Sequence, residues 1–211
     1  GDDRFEMSGG TVNGSVSGGA GDDTFFISGG LITGFVAGNE GTDEVSVSGG
    51  TIRGDISAET VRLSGGTIGG NILGLSGNTL VIDDSAAPAA LNLRDGVIFS
   101  GSNAVATINN TDLAAGGTRS QNFAGFASVT TQNSTLGFAS GSNNDIATLA
   151  LGSGSTLFVN GPSRLTGTLV ANGSTISMER AKASAASFQR PRLTASSSPR
   201  MIPSRQNTEY R

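Results

Sequence analysis

The chain of 211 residues contains no cysteine, no histidine and no tryptophan, a single tyrosine and only five prolines. Without cysteine there are no disulfides, no thiol nucleophile and no thiolate metal ligands. Without histidine the commonest general acid–base group is gone, and with both missing so are the usual zinc sites. Aromatic residues make up 5% of the chain, which suits a thin core better than a thick globular one. No apolar run approaches the roughly 18 residues that a transmembrane helix requires, and no signal peptide is recognisable. A complete G-x-S-x-G, P-loop or dinucleotide fingerprint is also missing. What the chain has in abundance is glycine, 33 residues. The glycines do not fall every third residue, so collagen is excluded.

They fall in a repeat. Ser-Gly-Gly recurs at 8–10, 28–30, 48–50 and 64–66. The first three copies are 20 residues apart and share the frame GDDRFEMSGGTVNGSVSGGA, GDDTFFISGGLITGFVAGNE and GTDEVSVSGGTIRGDISAET. A fourth, VRLSGGTIGGNILGLSGN, follows 16 residues on and reads as having lost the acidic turn. A fixed period of this length is the mark of a solenoid, whose coils stack and do not fold singly. Apolar residues alternate with polar ones in each unit: Phe5, Met7, Val12 and Val16, then Phe25, Ile27, Ile32 and Val36. This alternation predicts short strands with one buried face, separated by glycine turns. Stacking puts each apolar position above its counterpart and pairs the strands in parallel. The fold class is therefore all-β, a parallel β-helix with coils of about 20 residues.

From residue 77 to 178 the strict period dissolves while the strand-and-turn texture continues. Short strands are predicted at 79–82, 97–99, 104–108, 126–130, 134–138, 146–151, 156–159, 165–170 and 175–178. The connection Asn109–Gln121 reads as a surface loop. At Glu179 the composition changes: the last 33 residues contain no glycine, seven basic and two acidic groups, whereas residues 1–178 carry six basic and 15 acidic ones. Residues 179–211 are expected to be a basic disordered tail, or an out-of-frame one, and to contribute no domain. The chain opens on Gly1, in phase with Gly21 and Gly41, and is expected to begin mid-repeat, as a fragment. Nothing after Met178 reads as a cap for the last coil, which predicts marginal stability or self-association.

The Ser-Gly-Gly-Thr-Ile/Val-x-Gly coils, with NFAGFASVTTQNSTLGF, LALGSGSTLFVNG and LTGTLVANGSTISM after them, resemble passenger domains of the autotransporter (type V secretion) family over most of 1–178. The resemblance implies a right-handed, pertactin-like β-helix presented at the cell surface or secreted, tethered in full-length members to an outer-membrane β-barrel. An adhesive passenger segment would meet host-cell surface proteins or glycans along its ladder of Ser, Thr and Asn, and the missing histidine and cysteine weigh against an enzyme.

Two motifs offer sharper chemistry. Gly18–Phe26 fits the nine-residue G-G-x-G-x-D-x-U-x consensus of calcium-binding repeats, and Gly38–Ser46 fits with Asn39 in place of the second glycine. On this register Asp3, Asp23 and Asp43 would stack in one column, with Gly19, Gly21 and Gly41 turning carbonyls toward a hard cation. The other reading is that these glycines and aspartates only form turns. Arg53-Gly54-Asp55 spells an integrin-binding tripeptide. It occupies the place of Asn13-Gly14-Ser15 and Thr33-Gly34-Phe35, which leads us to expect a flat strand rather than a projecting tip. No cofactor is required by the adhesive reading; the alternative is a calcium-binding solenoid that folds only when the ion is available. A glycan-active enzyme would need carboxylates converging away from the turns. The acidic body makes nucleic acid an unsuitable partner.

Overall fold

A computed structural model describes residues 1–85, 91–179 and 200–203. It is a parallel β-solenoid of about 8 turns of roughly 20 residues. The first coil consists of β1 (Arg4–Val12) and β2 (Val16–Ala20), the second of β3 (Thr24–Ile32) and β4 (Val36–Glu40). The third is β5 (Glu44–Ile52) and β6 (Ile56–Ser57), and the fourth runs through β7 (Thr60–Ile68) into β8 (Ile72–Asp83). β9 (Leu91–Leu93), β10 (Val97–Asn109), β11 (Gln121–Gln132), β12 (Thr135–Phe138) and β13 (Asn143–Asn144) continue the winding. The last turns are β14 (Ile146–Leu151), β15 (Thr156–Asn160), β16 (Arg164–Leu165), β17 (Thr168–Ala171) and β18 (Thr175–Glu179). Among the described residues every strand pairing is parallel.

The columns form in the predicted register. One wall stacks Phe5, Phe25, Val45, Val61, Leu80, Ala106, Val129, Leu149 and Leu169. A second stacks Val12, Ile32, Ile52, Ile68 and Leu93, and a third Val16, Val36, Ile56, Ile72, Phe99 and Phe123. Ile32, Ile52, Ile68, Val36, Ile56 and Ile72 are fully buried. Residue alternation thus becomes an axial core, each column one side chain wide and repeated at the strand spacing of about 4.8 Å.

The Ser-Gly-Gly motif does not separate strands, as the sequence led us to expect. It bends them. β1, β3, β5 and β7 each run unbroken for nine residues through the motif, with the pairing register shifting at Ser8, Ser28 and Ser48. The second glycine of each motif, Gly10, Gly30, Gly50 and Gly66, has φ between 79° and 87°. Only glycine takes that conformation without strain, so it can turn a paired strand through a corner and keep its ladder.

Two other expectations change. The Asn109–Gln121 connection is docked onto the body: Asp112 bridges to Thr135, Leu113 and Ala114 are buried, and Ala115–Gly117 makes one 3-10 turn. Buried Gln121 holds it there, donating from Nε2 to the Leu113 carbonyl at 2.7 Å while its Oε1 accepts the Gly137 N–H at 2.8 Å. Within the stretch read as a structureless tail, Arg200–Pro203 forms a further strand, β19, parallel to β18. Residues 180–199 and 204–211 lie outside the described residues.

Candidate functional site

The acidic turns assemble a ladder of hydrogen bonds between coils. The inner carboxylates point back one coil: Asp23 Oδ1 accepts the Asp3 N–H at 2.7 Å, and Asp43 Oδ1 accepts the Asp23 N–H at 2.8 Å. Glu59 Oε2 then accepts the Asp43 N–H at 2.9 Å. The outer carboxylates point forward. Asp2 Oδ1 takes the Asp22 N–H at 3.0 Å and Asp22 Oδ1 takes the Thr42 N–H at 2.7 Å. Two charge-assisted bonds to turn amides join the first coil to the second and the second to the third, and one, from Glu59, joins the third to the fourth.

The fourth coil therefore keeps its acidic residue, contrary to the expectation from the repeat. Glu59 stands 16 residues after Asp43, the same shortened step that separates Glu44 from Thr60 in the β5–β7 register. Its longer side chain reaches the amide that Asp23 and Asp43 reach in the other coils. The signal was present in the spacing.

Asp3 is exposed on the first coil, whereas Asp23 and Asp43 are 0% and 1% exposed. Their Oδ2 atoms lie against Gly18 and Gly38, where a Cβ would occupy the same space as the carboxylate. These two glycines, absent from the sequence-based list, leave the room in which the aspartates sit. Gly19, Gly21 and Gly41 carry φ of 111°, 125° and 134° and shape the turn backbone. The three aspartates share a column; Oδ1 of Asp23 and of Asp43 is taken by an amide, while their buried Oδ2 atoms have no hydrogen-bond partner. Among the described residues no three Asp, Glu, His or Cys side chains converge as a metal-binding group would.

Burial, more than the Coulomb repulsion of Glu59, Asp23 and Asp22, pushes the Asp43 carboxyl above the ordinary range, against the lowering effect of the Asp23 amide. A folded value raised in this way means that the folded chain holds the proton more tightly than the unfolded one. The stability contribution is present below the ordinary Asp value of about 3.9 and is lost as pH rises through the raised folded value. Asp43→Asn is expected to flatten that component when urea midpoints are compared with wild type from about pH 3 to about pH 7. Asp43→Ala is expected to cost about 1–3 kcal/mol throughout, because the buried Asp23 amide loses its acceptor. An unchanged pH slope in Asp43→Asn would contradict the burial argument.

Arg53-Gly54-Asp55 lies in the tight turn between β5 and β6, not on the flat strand that its register suggested. Its backbone is stacked onto the neighbouring coils: the Arg53 N–H donates to the Ile32 carbonyl and the Gly54 N–H to the Gly34 carbonyl. The Arg53 side chain is exposed, while half-buried Asp55 accepts the Asn71 N–H at 2.6 Å. Asp55 is thus another staple.

The outer surface offers one further feature that sequence reasoning missed. The corner at Ser-Gly-Gly makes the outer face concave, and an open groove of about 460 Å³ runs across several coils there. Ser28, Ser48 and Ser64 line it with Phe26, Arg62, Val81 and Asp83. Arg62 Nε contacts Glu44 Oε1 at 2.8 Å, an exposed ion pair that orients the guanidinium but contributes little to stability. Asp83 is the groove's single carboxylate; hydrogen bonds from Ser85 and Asn110 hold it below the ordinary range. A second depression, beside Phe126, Asp145 and Thr166, also has one carboxylate, bonded to Thr166 Oγ1 at 2.9 Å. Compared with protein-family models, curated proteins and solved structures, the chain matches none.

Proposed function

We propose that this chain is a non-enzymatic passenger segment of the autotransporter kind, displayed at the cell surface or secreted, whose outer face adheres to host surface proteins or glycans. The observation that supports this reading is how the carboxylates are used. Asp2, Asp22, Asp23, Asp43, Asp55, Glu59 and Asp95 each accept a backbone N–H from a neighbouring coil. Acidic side chains that could have formed a catalytic pair are spent on holding coils together. The outer groove is lined by a ladder of hydroxyls beside Phe26, Arg62 and Asp83, a surface suited to shallow polar contact along an extended partner. The net negative charge of residues 1–178 argues against nucleic acid in that role.

The test is display. The chain placed between a signal peptide and a translocating β-barrel on a Gram-negative cell is expected to raise adherence to immobilised glycans or matrix proteins several-fold over the barrel alone. Ser48→Glu with Arg62→Glu is expected to abolish the gain without reducing surface display. Adherence equal to that of the barrel alone, with the segment demonstrably on the surface, rejects the adhesive reading.

A further inference from the structure

The last complete coil ends on β18, whose edge would present unpaired amides and carbonyls, the usual template for pairing with another chain. β19 lies on that edge in parallel register, with Thr175 against Arg200, Ile176 against Met201, Ser177 against Ile202 and Met178 against Pro203. This register continues existing backbone ladders. Leu136, Leu157 and Ile176 stack in one line, and Met201 takes its next position; Phe138, Val159 and Met178 stack in another, followed by Pro203. The separation also fits the fold. Ile176 and Met201 are 25 positions apart, between the 16 of Val45 and Val61 and the 27 of Ile72 and Phe99. β19 ends on a proline, which has no N–H to offer to a further strand, and proline within a sheet belongs to an edge.

We infer that the β18 edge is a strand-acceptor surface which the chain fills with its own segment Arg200–Pro203, closing this end of the solenoid against pairing with a second copy. An apolar pair, Met201 and Ile202, carried between an arginine and a proline is the pattern of an edge that is meant to be occupied once and to stop there.

Two measurements test this. The chain has no cysteine, so Ser177→Cys with Ile202→Cys in the full chain reports the register directly. This pair is expected to form an intramolecular disulfide readily in air, and Ser177→Cys with Arg200→Cys, two positions out of register, to form far less. Equal oxidation of both pairs would overturn the assignment. Separately, the chain ending at residue 199 is expected to move from monomer to dimer or larger species in light scattering at concentrations where the full chain stays monomeric. A synthetic peptide covering residues 198–205 is expected to reverse that shift. A truncated chain that remains monomeric, with amide exchange at Thr175–Met178 unchanged, would show that β19 closes nothing.

Discussion

Phe123→Ala is expected to be the most damaging side-chain truncation in the molecule, at about 3–5 kcal/mol. Phe123 is fully buried, with its ring 5.0 Å from Phe99 in a stack, 5.4 Å from Phe126 edge-on and 6.5 Å from Phe138. No other residue among those described takes part in three such ring contacts. The cluster sits where the β-branched column of Val36, Ile56 and Ile72 gives way to aromatic rings and the coils lengthen, so one ring joins three successive turns. Because each coil touches only its neighbours, the loss should act locally. Hydrogen exchange is expected to accelerate first over 97–138, with the Ser-Gly-Gly coils following at higher denaturant. Phe123→Leu should recover most of the loss by restoring volume. Uniform acceleration along the whole chain would mean that the solenoid unfolds as a single unit.

Gly41→Ala is expected to rival it, at roughly 3–5 kcal/mol, without removing a single contact. Gly41 has φ of 134°, and a Cβ there would overlap the Gly21 carbonyl oxygen directly beneath it. Backbone cannot step aside as a side-chain end can, so the coils must separate at the turn where the carboxylate staples are. Gly9→Ala is the control: no atom lies within 4 Å of its added methyl, and its expected effect is within about 0.5 kcal/mol. Thermal unfolding followed by circular dichroism separates the two. Equal melting temperatures for Gly41→Ala and Gly9→Ala would remove stacking as the reason for the turn glycines.

These glycines show where sequence reading succeeds and where it stops. The apolar columns were legible because burial in a strand has a period of two and the coil a period of 20, and both survive in Phe25, Ile27, Ile32 and Val36. The bend at Ser-Gly-Gly was not. A glycine pair reads alike whether it ends a strand or turns one through a corner, and only the unbroken ladder of Thr11, Leu31, Thr51 and Thr67 distinguishes them.

The acidic turn was half legible. Repetition aligned Asp3, Asp23 and Asp43 in one column, as the structure places them. It did not say which partner each oxygen takes, since an amide one coil away and a cation in the turn would call for the same residue types. Glu59 showed only through the shortened step from the third coil to the fourth, and the docking of Gln121 was hidden in a stretch whose composition is that of a surface loop. Gln121 is buried because both ends of its amide find backbone partners in Leu113 and Gly137, a match that exists only once β11 and β12 are in place.

Periodicity by itself determined the parallel β-solenoid, its coil length and its inward faces, because stacked identical coils offer one way to bury an alternating pattern. Tertiary structure decided what the polar residues do. Carboxylates became staples, the Arg53–Asp55 turn was closed onto the next coil, and Arg200–Pro203 was brought to the β18 edge. The reason is physical: burial of apolar groups is non-directional and follows from pattern, whereas a hydrogen bond needs a particular partner at a particular distance, and only the folded chain supplies it.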